Sequence, residues 1–306
     1  MSTGVYVVEE ARSSTASRWA DYLELTKPRI ALLELVTVTL AAVAARWQIP
    51  DFGLLAALLA GTALVAAGAS ALNQWIEAEG DRRMPRTADR PLPAGRLTPF
   101  QVLAFGAATT VAGTGLLATA VNGLTAALGL LTWALYVCVY TPLKRRSPLN
   151  TVVGAVAGAM PVVMGWAGVD GTFGLSGGRG LSCAALFMIV FLWQFPHFMA
   201  IAWLYRDQYS RAGLRMLTVV DPTGRRAGAQ AVIAALVLIP VSLLPAVVDS
   251  AGTLYFAWAL ALGAAQFACA VWFMRNLSEN SARYLLRASL IYLPSLLLML
   301  MLGPFS

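Results

Sequence analysis

Nine apolar runs of about twenty residues each make up most of this chain, with short polar connections between them. A run of that length crosses the hydrocarbon core of a bilayer as one helix. Inside lipid every peptide group must find its partner within the protein, which leaves helices and closed barrels as the spanning structures. These runs are continuous rather than alternating, so a barrel is excluded. The expectation is an all-α integral membrane protein with nine transmembrane helices, near 29–47, 52–78, 100–121, 124–142, 149–169, 181–204, 228–248, 252–274 and 284–303. No linker-like stretch divides them, so residues 28–306 are expected to form one transmembrane domain. Residues 1–27 are polar, with no apolar core ahead of a cleavage site, and are expected to be a cytoplasmic arm rather than a removable signal.

Charged residues are only 12% of the chain, about half the share of a typical soluble domain. Of the 22 lysines and arginines, 20 fall on one side of this topology; Arg46 and Arg179 are the exceptions. Basic loops stay in the cytoplasm, which predicts a cytoplasmic N-terminus and an outside C-terminus. The net charge of +7 therefore follows from topology, and nucleic acid is not implied as a partner. The three cysteines, Cys138, Cys183 and Cys269, sit inside apolar runs without metal-type spacing and read as small buried hydrophobes.

Basic loops follow from topology, but acids contribute little to it, so their clustering is informative. In NQWIEAEGDRRMPRTADRP, at residues 73–91, four acids stand with four arginines at the cytoplasmic end of the second run. Asn73, Glu77 and Asp81 are spaced four and four, which puts three oxygen ligands on one helix face over two turns. Such a stripe suits Mg²⁺, which takes oxygen donors and keeps places for water or phosphate oxygens. Arg82, Arg83, Arg86 and Arg90 follow, and Pro85 is expected to end the helix and turn them over the mouth of the bundle. Guanidinium forks beside metal-holding acids suit a diphosphate. The alternative is an interfacial loop of self-neutralising ion pairs.

A second cluster follows the sixth run, where Asp207 and Tyr209 stand among Arg206, Arg211 and Arg215. A carboxylate there could face the first stripe across the bundle, or be an ordinary surface ion pair. Lys144, Arg145 and Arg146 mark another cytoplasmic helix end, as diphosphate contacts or as topological anchors. His197, the only histidine, lies within a span beside Pro196. Ionisable groups in a span usually face the bundle interior. It could accept a proton, contact a substrate, ligate haem iron, or be hydrogen-bonded between helices. Glu34 in the first span raises the same question. Asn150 reads as a cap or an interhelical hydrogen bond.

The stripe NQWIEAEGDRRMPRT, continued by RPLPAGRL, resembles the first acidic motif of the UbiA superfamily of intramembrane prenyltransferases. LTKPRIALLELV at 25–36, YTPLKRRSPLNTVVGAVAGAMPVVMGW at 140–166 and WQFPHFMAIAWLYRDQYSRAG at 193–213 match the same superfamily in the same order, and within it the haem O synthases. The resemblance covers nearly the whole chain apart from the arm. It implies a nine-helix bundle around a cavity open to the membrane. The activity it implies is transfer of a farnesyl group from farnesyl diphosphate to a vinyl group of haem B, with addition of water. The product would be haem O, made for a terminal oxidase. By position it gives Asn73, Glu77, Asp81 and Asp207 the Mg²⁺-diphosphate role. Arg82, Arg86, Arg90, Lys144 and Arg145 fall at its basic diphosphate contacts, and Tyr209 and His197 at its further polar positions. Two departures stand out. Glu77 replaces a frequent aspartate, and Gln208 stands where relatives commonly have an acid, which puts a second-metal role for this segment in doubt.

An allylic diphosphate carries concentrated negative charge on a long apolar tail, so a polar mouth over an apolar cavity fits both ends. Trp75, Tyr136, Tyr140, Trp193 and Phe195 could stabilise the tail's cation through their ring faces; helix packing is the plain alternative for each. The competing readings are an aromatic-acceptor prenyltransferase of quinone synthesis, a transporter or non-catalytic haem-handling protein, and an oxidase assembly factor. The acids Glu9 and Glu10 argue against a mitochondrial presequence and favour a bacterial inner membrane, with the lipid bilayer and a haem A synthase or terminal oxidase assembly as surroundings.

Overall fold

The computed structural model describes residues 15–171, 180–248 and 251–302; Arg179, Glu9 and Glu10 lie outside them. Among the described residues the chain is helical, without strands. A short helix α1 (Thr15–Leu25) leads into α2 (Pro28–Ala44), α3 (Phe52–Asp81) and α4 (Pro99–Ala120). Then come α5 (Gly123–Leu143), α6 (Asn150–Asp170) and α7 (Gly180–Leu204). Two short helices, α8 (Arg206–Arg211) and α9 (Leu217–Val220), precede α10 (Arg225–Val248), α11 (Gly252–Asn276) and α12 (Glu279–Leu302).

Eight of these, α3 to α7 and α10 to α12, are long and apolar enough to cross a bilayer, and the chain is a multi-pass membrane protein. The first of the nine expected spans is the exception. Helix α2 has 17 residues, about 26 Å at 1.5 Å per residue. It is cut short by Pro28 at its start and by the left-handed turn of Trp47 beyond its end.

Local chemistry sets the other boundaries. The Asp51 side chain accepts from the Leu54 amide at 3.1 Å, and Asn122 accepts from Thr125 at 2.8 Å. Thr98 and Gln101 cap each other's backbone ahead of α4, with Pro99 in the first turn. Caps of this kind contribute about 1 kcal/mol each. The spans then associate through small residues that let backbones approach. A Cβ on Gly113 of α4 would stand 2.7 Å from the Gly61 carbonyl of α3, and one on Gly165 of α6 would collide with the Val38 carbonyl of α2.

Two features position the mouth of the bundle. Helix α5 widens to a π turn over Leu135–Tyr140, where the Thr141 hydroxyl also donates to the Tyr136 carbonyl at 2.8 Å. Pro142 has no amide to offer the ladder, and a π turn commonly marks a functional site. The second feature is α1, expected as part of a polar arm. It docks on the bundle: the Leu25 carbonyl accepts from Gln74 Nε2 at 2.9 Å, and Arg96 binds Asp21 at 2.6 Å and Glu24 at 2.8 Å. Of the cysteines expected to be buried, only Cys183 is fully so; Cys138 is exposed and Cys269 intermediate.

Candidate active site

Helix α3 delivers its stripe as the spacing predicts. Asn73, Glu77 and Asp81 all line one cavity of about 240 Å³ at the end of the bundle. Asn73 is clamped from both sides, its Oδ1 accepting from Lys27 Nζ at 2.9 Å and its Nδ2 donating to Thr141 Oγ1 at 3.0 Å. Lys144 Nζ pairs with Glu77 Oε1 at 2.8 Å, so that buried carboxylate has its counter-charge beside it. Asp81 Oδ2 meets Arg90 Nη1 at 2.6 Å, the carboxylate being 1% exposed.

Four cations, Lys27, Arg86, Arg90 and Lys144, face two carboxylates, Glu77 and Asp81, around this cavity. The surplus of positive charge shows in Lys27. Burial first, and then the nearness of Arg90 and Lys144, push its ammonium down to about 7. Lys144 behaves oppositely: burial works against its charge, but Glu77 beside it more than offsets that and raises its proton affinity above the ordinary lysine value. An incoming polyanion supplies the charge this mouth lacks.

The donor set also bears on a hard cation. Two buried oxygens lining the mouth, Asn150 Oδ1 and Thr151 Oγ1, have no hydrogen-bond partner among the described residues. Among the described residues no three His, Cys, Asp or Glu side chains come together as a metal site. The stripe offers two carboxylates and an amide, a set that fits Mg²⁺ when water or phosphate oxygens fill the remaining places.

The other expected contacts divide. Arg86 reaches the mouth, its guanidinium 4.6 Å above the Tyr205 ring and its Nη2 3.3 Å from the Tyr209 hydroxyl. Arg82 does not; with Arg83 it pairs to Glu79 on the outer face of α3. Arg145 is exposed, beside Gly80. Asp207 is also away from the mouth, with its side chain 79% exposed and 4.0 Å from Arg206. Residues two apart on a helix point about 200° apart, so when α8 turns Tyr209 inward it turns Asp207 out. Gln208 keeps a buried Oε1 that has no hydrogen-bond partner among the described residues but does not line either cavity.

A second cavity, of about 470 Å³, continues from the first and shares Lys27, Ile30, Tyr140 and Phe198 with it. Its walls are mainly apolar, with Lys27, Arg29, Glu34, Gln194 and His197 among the polar side chains. Tyr140, on the π turn, lines both cavities and Tyr136 lines the second, and Lys144 Nζ lies 4.5 Å over the Tyr140 ring. Gly154 makes the room, since a Cβ there would be 2.7 Å from that ring. Trp193 lines the chamber, whereas Trp75 is exposed and Phe195 packs between Ala155 and Ala234. Asn150 donates to the Ser147 and Arg215 carbonyls at 2.7 and 3.3 Å, so it ties the start of α6 to two connecting segments rather than to another helix. The residue the sequence reading missed is Lys27. Its only signal was a lysine directly before the proline that opens the first span.

Residues 35–294 match the model of the UbiA prenyltransferase family. The chain is 45% identical over 290 residues to the protoheme IX farnesyltransferase of Solibacter usitatus, covering 90% of this chain and 95% of that one. To the protoheme IX farnesyltransferase of Koribacter versatilis it is 42% identical, covering 99% of both. The fold is similar to a digeranylgeranylglyceryl phosphate synthase structure at TM-score 0.77 and 15% identity, over 94% of this chain and 98% of that one. It is also similar to a UbiA homolog from Archaeoglobus fulgidus bound to DMAPP and Mg²⁺, at TM-score 0.62 and 16% identity, over 92% and 99%.

Proposed function

We propose, from the premise that this chain belongs to the UbiA prenyltransferase family, that it farnesylates haem B. The farnesyl group comes from farnesyl diphosphate and joins a haem vinyl group with addition of water, giving haem O and diphosphate. The observation that carries this reading is the continuity of an electropositive polar mouth with an apolar chamber containing the chain's one histidine. The full-length likeness to protoheme IX farnesyltransferases supports haem as the acceptor.

Asn73, Glu77 and Asp81 would hold Mg²⁺, in support of which a family structure carries DMAPP and Mg²⁺. When bound, the ion supplies Lewis-acid stabilisation of the departing diphosphate. Arg86 and Arg90 bind the diphosphate oxygens with planar forks, and Lys27 and Lys144 add point charges. Charge gathers on those oxygens as the carbon–oxygen bond breaks, so donors fixed beforehand favour that step most. The faces of Tyr136, Tyr140 and Trp193 shield the allylic cation from water until the vinyl carbon attacks. Water then captures the cation beside the porphyrin, and its proton needs an acceptor; His197 and Glu34 line the chamber where that occurs. We place the mouth on the cytoplasmic side of a bacterial inner membrane, close to a haem A synthase or terminal oxidase assembly. Thiol labelling of cysteines introduced at Ile49 and Ser210, on opposite faces of the bundle, checks that orientation.

The purified protein with haem B, farnesyl diphosphate and Mg²⁺ is expected to release one diphosphate per haem O, with the product read by mass. Chelation should stop both and added Mg²⁺ restore them. Glu77→Gln should lower turnover by about 100-fold or more with helix content unchanged by circular dichroism. Product formation indifferent to chelator, or normal turnover in Glu77→Gln, would defeat the metal assignment.

A further inference from the structure

His197 lines the apolar chamber, and among the described residues its ring makes one hydrogen bond, between Nδ1 and Ser289 Oγ at 2.9 Å. Ser289, on α12, is fully buried, and its hydroxyl donates to the Leu286 carbonyl at 2.7 Å. A serine hydroxyl has one proton to give. With that proton committed to Leu286, Oγ can only accept from the ring, so Nδ1 carries the imidazole proton and Nε2 a bare lone pair. The opposite tautomer would draw the hydroxyl proton away from Leu286. It would also leave an Nε2–H with no acceptor among the described residues, and an orphaned N–H is the rarer and costlier arrangement.

Ser289 also holds the neighbouring ring. Its carbonyl accepts from Trp193 Nε1 at 2.6 Å, and the indole and imidazole stack with centroids 4.9 Å apart. One residue of α12 thus fixes two side chains one turn apart on α7.

We propose that Ser289 is a positioning residue that locks His197 in the Nδ1–H tautomer and presents Nε2 to the chamber as a nitrogen acceptor. Ligating haem iron and accepting a proton from the adding water both require a bare Nε2. That use of the lone pair rests on the farnesyl-transfer reading; the tautomer itself does not.

The chain has a single histidine, so protein made with ¹⁵N-labelled histidine shows two ring nitrogens and no others. In lipid nanodiscs without substrate, the wild-type spectrum is expected to show a protonated Nδ1 and an unprotonated Nε2. Ser289→Ala should move population to the Nε2–H form and lower kcat for haem O by about 10- to 100-fold, the usual cost of losing a residue that orients a functional histidine. KM for farnesyl diphosphate should stay unchanged, and Ser289→Thr, which keeps the hydroxyl, should restore both tautomer and kcat. A wild-type Nε2–H signal would overturn the proposal, as would an Nδ1–H signal untouched by Ser289→Ala. If Ser289→Ala does not fold, the wild-type spectrum decides alone. A correct spectrum with no haem product in wild type would uphold the tautomer and reject the reaction.

Discussion

At the scale of single residues, position relative to the mouth separates side chains that the sequence presents as equals. Arg82 and Arg86 both follow the acid stripe, yet Arg82 lies in solvent with Glu79, while Arg86 is held over Tyr205 at the cavity wall. Arg86→Ala should therefore raise KM for the prenyl diphosphate by roughly 10-fold, the scale of one charge-assisted contact. Arg82→Ala should leave it within about 2-fold, because an exposed ion pair contributes little. Steady-state kinetics of the two variants side by side checks this; equal losses would mean that the loop binds substrate in another arrangement. The stripe was legible because a helix face has a fixed period and Asn73, Glu77 and Asp81 lie on one helix. Lys27 was not, because its contact with Asn73 spans 46 residues of sequence. The resemblance gives Asp207 a ligand role by position, but sequence does not show which way a two-turn helix faces, and its side chain stands in solvent beside Arg206.

Among whole elements, the bilayer makes the long helices legible. It imposes their length and forbids unpaired backbone, so eight runs reappear as helices that can cross it. What the bilayer does not impose was harder to read. The π turn of α5 lies just before Pro142, and it carries Tyr136 to the chamber and Tyr140 to the wall of both cavities. The docking of α1 depends on Arg96 meeting Asp21 and Glu24, more than 70 residues away. Helix-to-helix distance is set by small residues, and it is testable at Gly165, where a Cβ would collide with the backbone of α2. Gly165→Ala should lower stability by about 1–3 kcal/mol, the cost of overpacking a tight contact, seen as a lower Tm in detergent. An unchanged Tm would mean that α2 can move away freely, and that Lys27 and Glu34 are not held in place by this packing.

Taken as a whole, the molecule joins two environments that one substrate requires together. The mouth surrounds two carboxylates with four cations, and the chamber behind it is mainly apolar. In the proposed reading a prenyl diphosphate would span that boundary, with its reacting bond beside Tyr140, which lines both cavities. Any prenyltransferase of this family needs as much; the acceptor distinguishes them, and here the reading commits to haem through His197 and the full-length relatives. The measurement that tests this most directly is a competition. Purified protein, farnesyl diphosphate and Mg²⁺ are given haem B and 4-hydroxybenzoate together, and the products are separated by mass. The account predicts haem O, with the hydroxybenzoate unmodified. A farnesylated hydroxybenzoate with unaltered haem B would contradict it and assign the chamber to an aromatic acceptor.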